Sequence, residues 1–143
     1  MDDFLINDID YCIVLYESVP NVGHWIAILK YNNLFDFFDP YALKPDSQLS
    51  WTDVRMRQRL GVSEPYLTNL FKRDDYIYNK IKFQEDDDKV NTCGSHCCFR
   101  IYCLKSYNLD LEQYQDMMKM LKKQLNHSYD YIVASFVYTQ LNN

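Results

Sequence analysis

The sequence predicts an α+β fold: a small mixed β-sheet whose hairpin carries His24 and Asp39, packed on a helix with Cys93 at its N-terminus. Three observations predict it. Short apolar runs rich in aromatic and β-branched residues fill the first third of the chain, and stripes of 3.6-residue period fill the last third. No repeat, linker or low-complexity stretch interrupts the 143 residues, so residues 1–143 read as one domain.

Residues Tyr11 to Tyr16 form an apolar run bounded by Asp10 and by Ser18-Val19-Pro20-Asn21, the signature of a buried strand. Trp25 to Tyr31 and Leu34 to Phe38 are two further runs, separated by Asn32-Asn33, a pair that tolerates the positive φ of a tight hairpin turn. Ser50-Trp51-Thr52-Asp53 fits a capping box before a short helix that Gly61 ends, and a second short helix is expected within Ser63 to Phe71. Tyr76 to Phe83 alternates in the manner of a half-exposed strand and leads into Gln84. Gly94 to Ser106 places Cys97, Cys98, Ile101, Tyr102 and Leu104 for a buried helix, and Cys103 joins the same inner face. Asp110 caps a helix striped by Leu111, Tyr114, Met118, Leu121 and Leu125, and Asp130 opens a last one through Val133, Phe136, Val137 and Leu141.

Fifteen basic against twenty acidic residues leave a net charge of −5, which opposes a dedicated nucleic-acid or anionic-lipid surface. The start, Met1 to Leu5, lacks the basic and apolar regions of a signal peptide, and no apolar run approaches the ~20 residues that span a bilayer. A soluble, non-secreted, monomeric protein without membrane partners is expected. Five Cys is an odd count, and four of them crowd between Cys93 and Cys103, which argues for thiols and against a disulfide framework.

Antiparallel pairing about Asn32-Asn33 brings His24, at the start of one strand, to the same sheet end as Asp39, at the close of the next. A carboxylate beside an imidazole fixes its tautomer and stabilises the imidazolium that forms when the ring takes a proton. Cys93, followed by Gly94 and a buried helix, suits the nucleophile, because the helix dipole and a nearby imidazolium both favour thiolate. Gln84 could offer an amide N–H to a developing oxyanion, with the backbone N–H of Cys93 as second donor.

Gly23-His24-Trp25, Phe38-Asp39-Pro40-Tyr41, Gln84 and Thr92-Cys93-Gly94-Ser95-His96-Cys97, in this order, resemble the motifs of adenovirus-type (adenain-like) cysteine endopeptidases, within the clan of ubiquitin-like-protein-specific proteases. The resemblance implies His24 as base, Asp39 as its orienter, Gln84 as oxyanion donor and Cys93 as nucleophile, with Trp25 as the aromatic after the His. It further implies cleavage of viral capsid or core precursors in an infected cell or virion. An activating peptide or DNA comes with the family as an expected cofactor, although the charge of −5 opposes DNA.

Trp25, Gly94 and His96 are candidates to line the substrate groove, with a solvent-exposed surface role as the alternative for His96. A zinc site in the Cys93 to Cys103 cluster is disfavoured because all the thiols and His96 fall on one helix without a second half-site. The run Glu85 to Asp88 reads as a solvated loop that would attract basic substrate segments if it overhangs the cleft. Two other functions stay open: removal of ubiquitin-like modifiers, and a non-catalytic virion or binding protein of the same fold.

Overall fold

The computed structural model describes residues 10–72, 75–87 and 89–143. Met1 to Leu5, examined above for targeting signals, and Asp88 of the acidic run lie outside these residues. The protein is α+β. Four strands, β1 (Asp10–Val19), β2 (Val22–Tyr31), β3 (Leu34–Phe38) and β4 (Tyr76–Tyr78), form one sheet in the order β1-β2-β3-β4. β1 and β3 run antiparallel to β2, whereas β4 pairs parallel to β3, so the sheet is mixed. Asn32 and Asn33 both take positive φ, 51° and 57°, the geometry of the hairpin turn that matches strand twist.

Among the described residues five α-helices follow the hairpin: α1 (Val54–Arg59), α2 (Tyr66–Phe71), α3 (Cys93–Tyr107), α4 (Leu111–Leu125) and α5 (Tyr129–Leu141). Alternation along β2 sends Ala27, Leu29 and Tyr31 to one face, where they meet Cys97, Ile101, Leu104, Tyr114, Met118 and Val133 of α3, α4 and α5. Ile26 and Ile28 point the other way, against Phe37, Phe71 and Leu67. Both faces of β2 are therefore covered, which is why its sequence is a continuous apolar run and not an alternating one. Among the described residues no helix is long and apolar enough to cross a membrane.

β1 and β2 extend further than the apolar runs suggest, and their register shifts between Glu17 and Val19. This bulge presses the β1 backbone onto Gly23: a Cβ there would sit 1.9 Å from the Tyr16 carbonyl oxygen. Gly23→Ala is expected to destabilise the fold by at least about 1–3 kcal/mol, read as a lower urea midpoint. An unchanged midpoint would show that the bulge shifts without strain.

Five expectations need correction. Ser50 does not cap a helix; residues Ser47–Trp51 form a 3-10 turn, and Asp53 caps α1 by accepting from the Met56 N–H. The strand expected to run to Phe83 ends at Tyr78, because the Asn79 side chain takes over the pairing: its Oδ1 accepts from the Asp39 N–H at 3.0 Å, and its Nδ2 donates to the Asp39 and Ile81 carbonyls. β1 is not uniformly buried, since it is an edge strand with Asp10 to Cys12 exposed. Cys98 faces solvent, being one residue, or roughly 100°, around the helix from buried Cys97. The last helix is capped by Ser128, which accepts from the Tyr131 N–H, so Asp130 lies inside its first turn.

Candidate active site

The β2–β3 hairpin places His24 and Asp39 side by side at one end of the sheet. His24 Nε2 lies 2.7 Å from Asp39 Oδ1, and both side chains are buried. Asp39 is itself tightly held. The Tyr41 N–H donates to Oδ1 at 2.8 Å, Gln48 Nε2 donates to Oδ2, and Asn79 grips the Asp39 backbone on both sides. The carboxylate cannot swing away from the imidazole without breaking these bonds.

With Nε2 committed to Asp39, the other ring nitrogen is left for the Cys93 thiol, which shares the cleft wall with the imidazole and donates to Asn91 Oδ1 at 3.8 Å. Burial opposes charge on both partners, pulling the imidazole down and the thiol up. The opposite pulls win. Hydrogen bonds to Asp39 and Cys93, with their negative charges, raise His24 to about 9. His24 and the backbone N–H groups of Trp25 and Gly94 lower Cys93 below an ordinary thiol. The other buried thiols contrast with it: burial raises Cys97 strongly and takes Cys103 to about 11.

Cys93 is the first residue of α3, so its backbone N–H has no partner within the helix. Gln84 enters from the loop after β4, not from a strand end. Its own N–H and that of Phe83 donate to the Pro40 carbonyl at 3.0 and 2.8 Å, next to Asp39. The Gln84 side chain donates one amide hydrogen to the Val90 carbonyl at 3.2 Å, leaving the second hydrogen of that amide.

A cleft of about 840 Å³ opens above these groups, and His24, Gln48, Gln84 and Cys93 are part of its wall. The wall also holds the aromatic Tyr16, Tyr41 and Trp51 and the charged Lys82, Asp86 and Asp87. Tyr41 stacks on the His24 ring at 4.7 Å and Trp51 meets it edge-on at 5.4 Å. Lys82 is paired with Asp86.

Comparison with known proteins finds no matching family model. One relative is viral. Uncharacterized protein V9 of the Sputnik virophage is 30% identical over 110 residues, covering 75% of this chain and 63% of the relative. The chain thus spans less than two thirds of that relative's length.

None of the three residues expected along the groove is among those that wall this cleft. Trp25 alternates to the α3 side of β2, is 40% exposed, and lies over Gly94, whose position for a Cβ is 3.8 Å from the indole. The tryptophan of the cleft is Trp51, from the 3-10 turn. His96 is neither in the groove nor at the surface: it is fully buried, with Nε2 2.9 Å from Asp130 Oδ1.

Gln48, Asn79, Tyr41 and Asp130 were not found by reading the sequence for chemistry. Gln48 sits in a 3-10 turn with no motif of its own. Asp130 carried one signal, since it lies three residues before buried Val133 and therefore on the inward stripe of α5.

Proposed function

We propose that the chain is a cysteine endopeptidase that acts on viral capsid or core precursor proteins. One observation carries the reading: a buried imidazole hydrogen-bonded to a carboxylate shares the wall of one cleft with a thiol held below its ordinary pKa. In the proposed reaction His24 takes the Cys93 proton and Sγ attacks the scissile carbonyl carbon. The oxyanion that forms accepts from the Cys93 backbone N–H and the second Gln84 amide hydrogen. His24 then protonates the departing amine, leaving a thioester, and water deprotonated by His24 releases the acid and restores the thiol. Viral substrates are supported by the similarity to a virophage protein and by the resemblance of the ordered motifs to adenain-like enzymes.

The test is iodoacetamide alkylation of each cysteine against pH, followed by mass spectrometry, in wild type and His24→Ala. Cys93 is expected to react well below the ~8.5 of a free thiol and to lose this in His24→Ala, while buried Cys97 and Cys103 stay inert. For peptide cleavage, kcat/KM should rise with Cys93 ionisation and fall as His24 loses its proton near 9, since the amine must leave with that proton. A Cys93 that titrates as an ordinary thiol in both proteins would favour a binding protein of the same fold.

A further inference from the structure

Asp130 is a buried carboxylate that the proposed reaction does not use, yet it bonds to groups flanking both oxyanion donors. Its Oδ2 accepts from the N–H of Glu85, the residue after Gln84, at 3.1 Å. Its Oδ1 accepts from the hydroxyl of Thr92, the residue before Cys93, and from His96 Nε2, one turn further along α3. Those bonds tie the residue after Gln84 to the residue before Cys93, across a loop that begins with the exposed acidic residues Glu85, Asp86 and Asp87.

Thr92 makes the arrangement specific. It occupies the N-cap of α3, where a threonine hydroxyl ordinarily accepts from the first free N–H groups of the helix. Here the side chain makes no cap bond, and its hydroxyl donates to Asp130. The Cys93 N–H, as the first of α3, lies ahead of the groups that an N-cap side chain reaches and has no partner within the helix. His96 serves the same end: its Nδ1 has no partner among the described residues, so the ring is oriented through Asp130.

We infer that Asp130, acting through Thr92 and His96, is a positioning residue that holds the head of α3, and with it the Cys93 N–H, against the Gln84 amide, so that the two form an oxyanion hole. The inference rests on the protease reading, and two reagents separate them. Iodoacetamide alkylates a thiolate by displacement at a saturated carbon and builds no oxyanion. p-Nitrophenyl acetate is attacked at its carbonyl: a carbon–sulfur bond forms, an oxyanion develops, and p-nitrophenolate leaves with the electron pair of the broken ester bond, giving an acetyl thioester.

Both rates at Cys93 are to be measured in a Cys12→Ser/Cys98→Ser background, which removes the two exposed thiols, for Asp130→Asn, Thr92→Val, Gln84→Ala and His24→Ala. Asp130→Asn and Thr92→Val should leave alkylation unchanged and lower acylation by roughly 10- to 100-fold, approaching the loss in Gln84→Ala. Adding either to Gln84→Ala should cost little more. Equal ratios of acylation to alkylation in the folded variants and the parent would overturn the positioning role and leave the protease reading intact. A parent that acylates no faster than His24→Ala would overturn both. If Asp130→Asn fails to fold, Thr92→Val, which removes one hydroxyl from a partly buried side chain, decides the matter alone.

Discussion

Asp39→Asn is expected to slow acyl transfer to Cys93 by up to roughly 10⁴-fold, the loss that follows when the carboxylate of a Ser-His-Asp triad is neutralised. The fold should survive. The new amide keeps the volume of the carboxylate, and the Asn79 clasp on the backbone does not involve the side chain. Gln48 donates to Oδ2, while its own Oε1 has no partner among the described residues, so a turned Gln48 amide can accept from the new NH2 and leave the oxygen of the Asn facing His24 Nε2 and the Tyr41 N–H. What is lost is the negative charge that helps hold the imidazole at about 9. The basic limb of the kcat/KM profile should therefore move down toward the ordinary imidazole range. Stability follows the same sign. A His raised in the folded state stabilises fully below its unfolded value of ~6.5, and that contribution disappears as the pH rises through about 9. In Asp39→Asn the loss should come at lower pH, measurable as urea midpoints between pH 6 and 10, figures set by the ~6.5 imidazole reference. A variant with wild-type acylation and an unmoved basic limb would remove Asp39 from the proposed chemistry.

The parts of the fold set by local pattern were legible, and those set by side-chain capture of the backbone were not. β3 needs only its short apolar run and the two asparagines before it, and α4 needs only Asp110, Gln113 and an apolar stripe; Asp110 and Gln113 close a full capping box. β4 could not be delimited in this way. Tyr76 to Phe83 carries a strand's period throughout, but Asn79 replaces ladder bonds with side-chain bonds to Asp39, forty residues earlier in the chain. The same limit applies to the site. A sequence can offer His24, Asp39, Gln84 and Cys93 as residue types suited to acyl transfer. It does not say that Trp51 and not Trp25 faces the cleft, since that depends on which face of β2 each strand residue takes. Nor does it say that His96 is turned inward, because its partner Asp130 comes from another helix.

Arg100→Met should cost about 3–5 kcal/mol, a large share of the roughly 5–15 kcal/mol that holds a typical domain together. Arg100 is fully buried at the middle of α3, and its guanidinium meets Asp36 Oδ2 at 2.8 Å, the Tyr31 hydroxyl at 3.1 Å and the Leu109 carbonyl at 2.9 Å. Tyr31 itself donates to Asp36 Oδ2 and accepts from the Leu111 N–H, so one cluster ties β2, β3, α3 and the start of α4. Methionine fills the aliphatic volume but strands the Asp36 carboxylate, whose Oδ1 has no partner among the described residues, in the core. The penalty is thus mainly that of an unpaired charge, and not of a lost attraction. This gives a sharper test than the single variant. If the account is right, Asp36→Asn added to Arg100→Met should recover part of the lost stability in urea titrations, because the buried charge is gone. A double variant less stable than Arg100→Met would show instead that the cluster acts through the geometry of its hydrogen bonds, with α3, and Cys93 at its head, displaced when those bonds are broken.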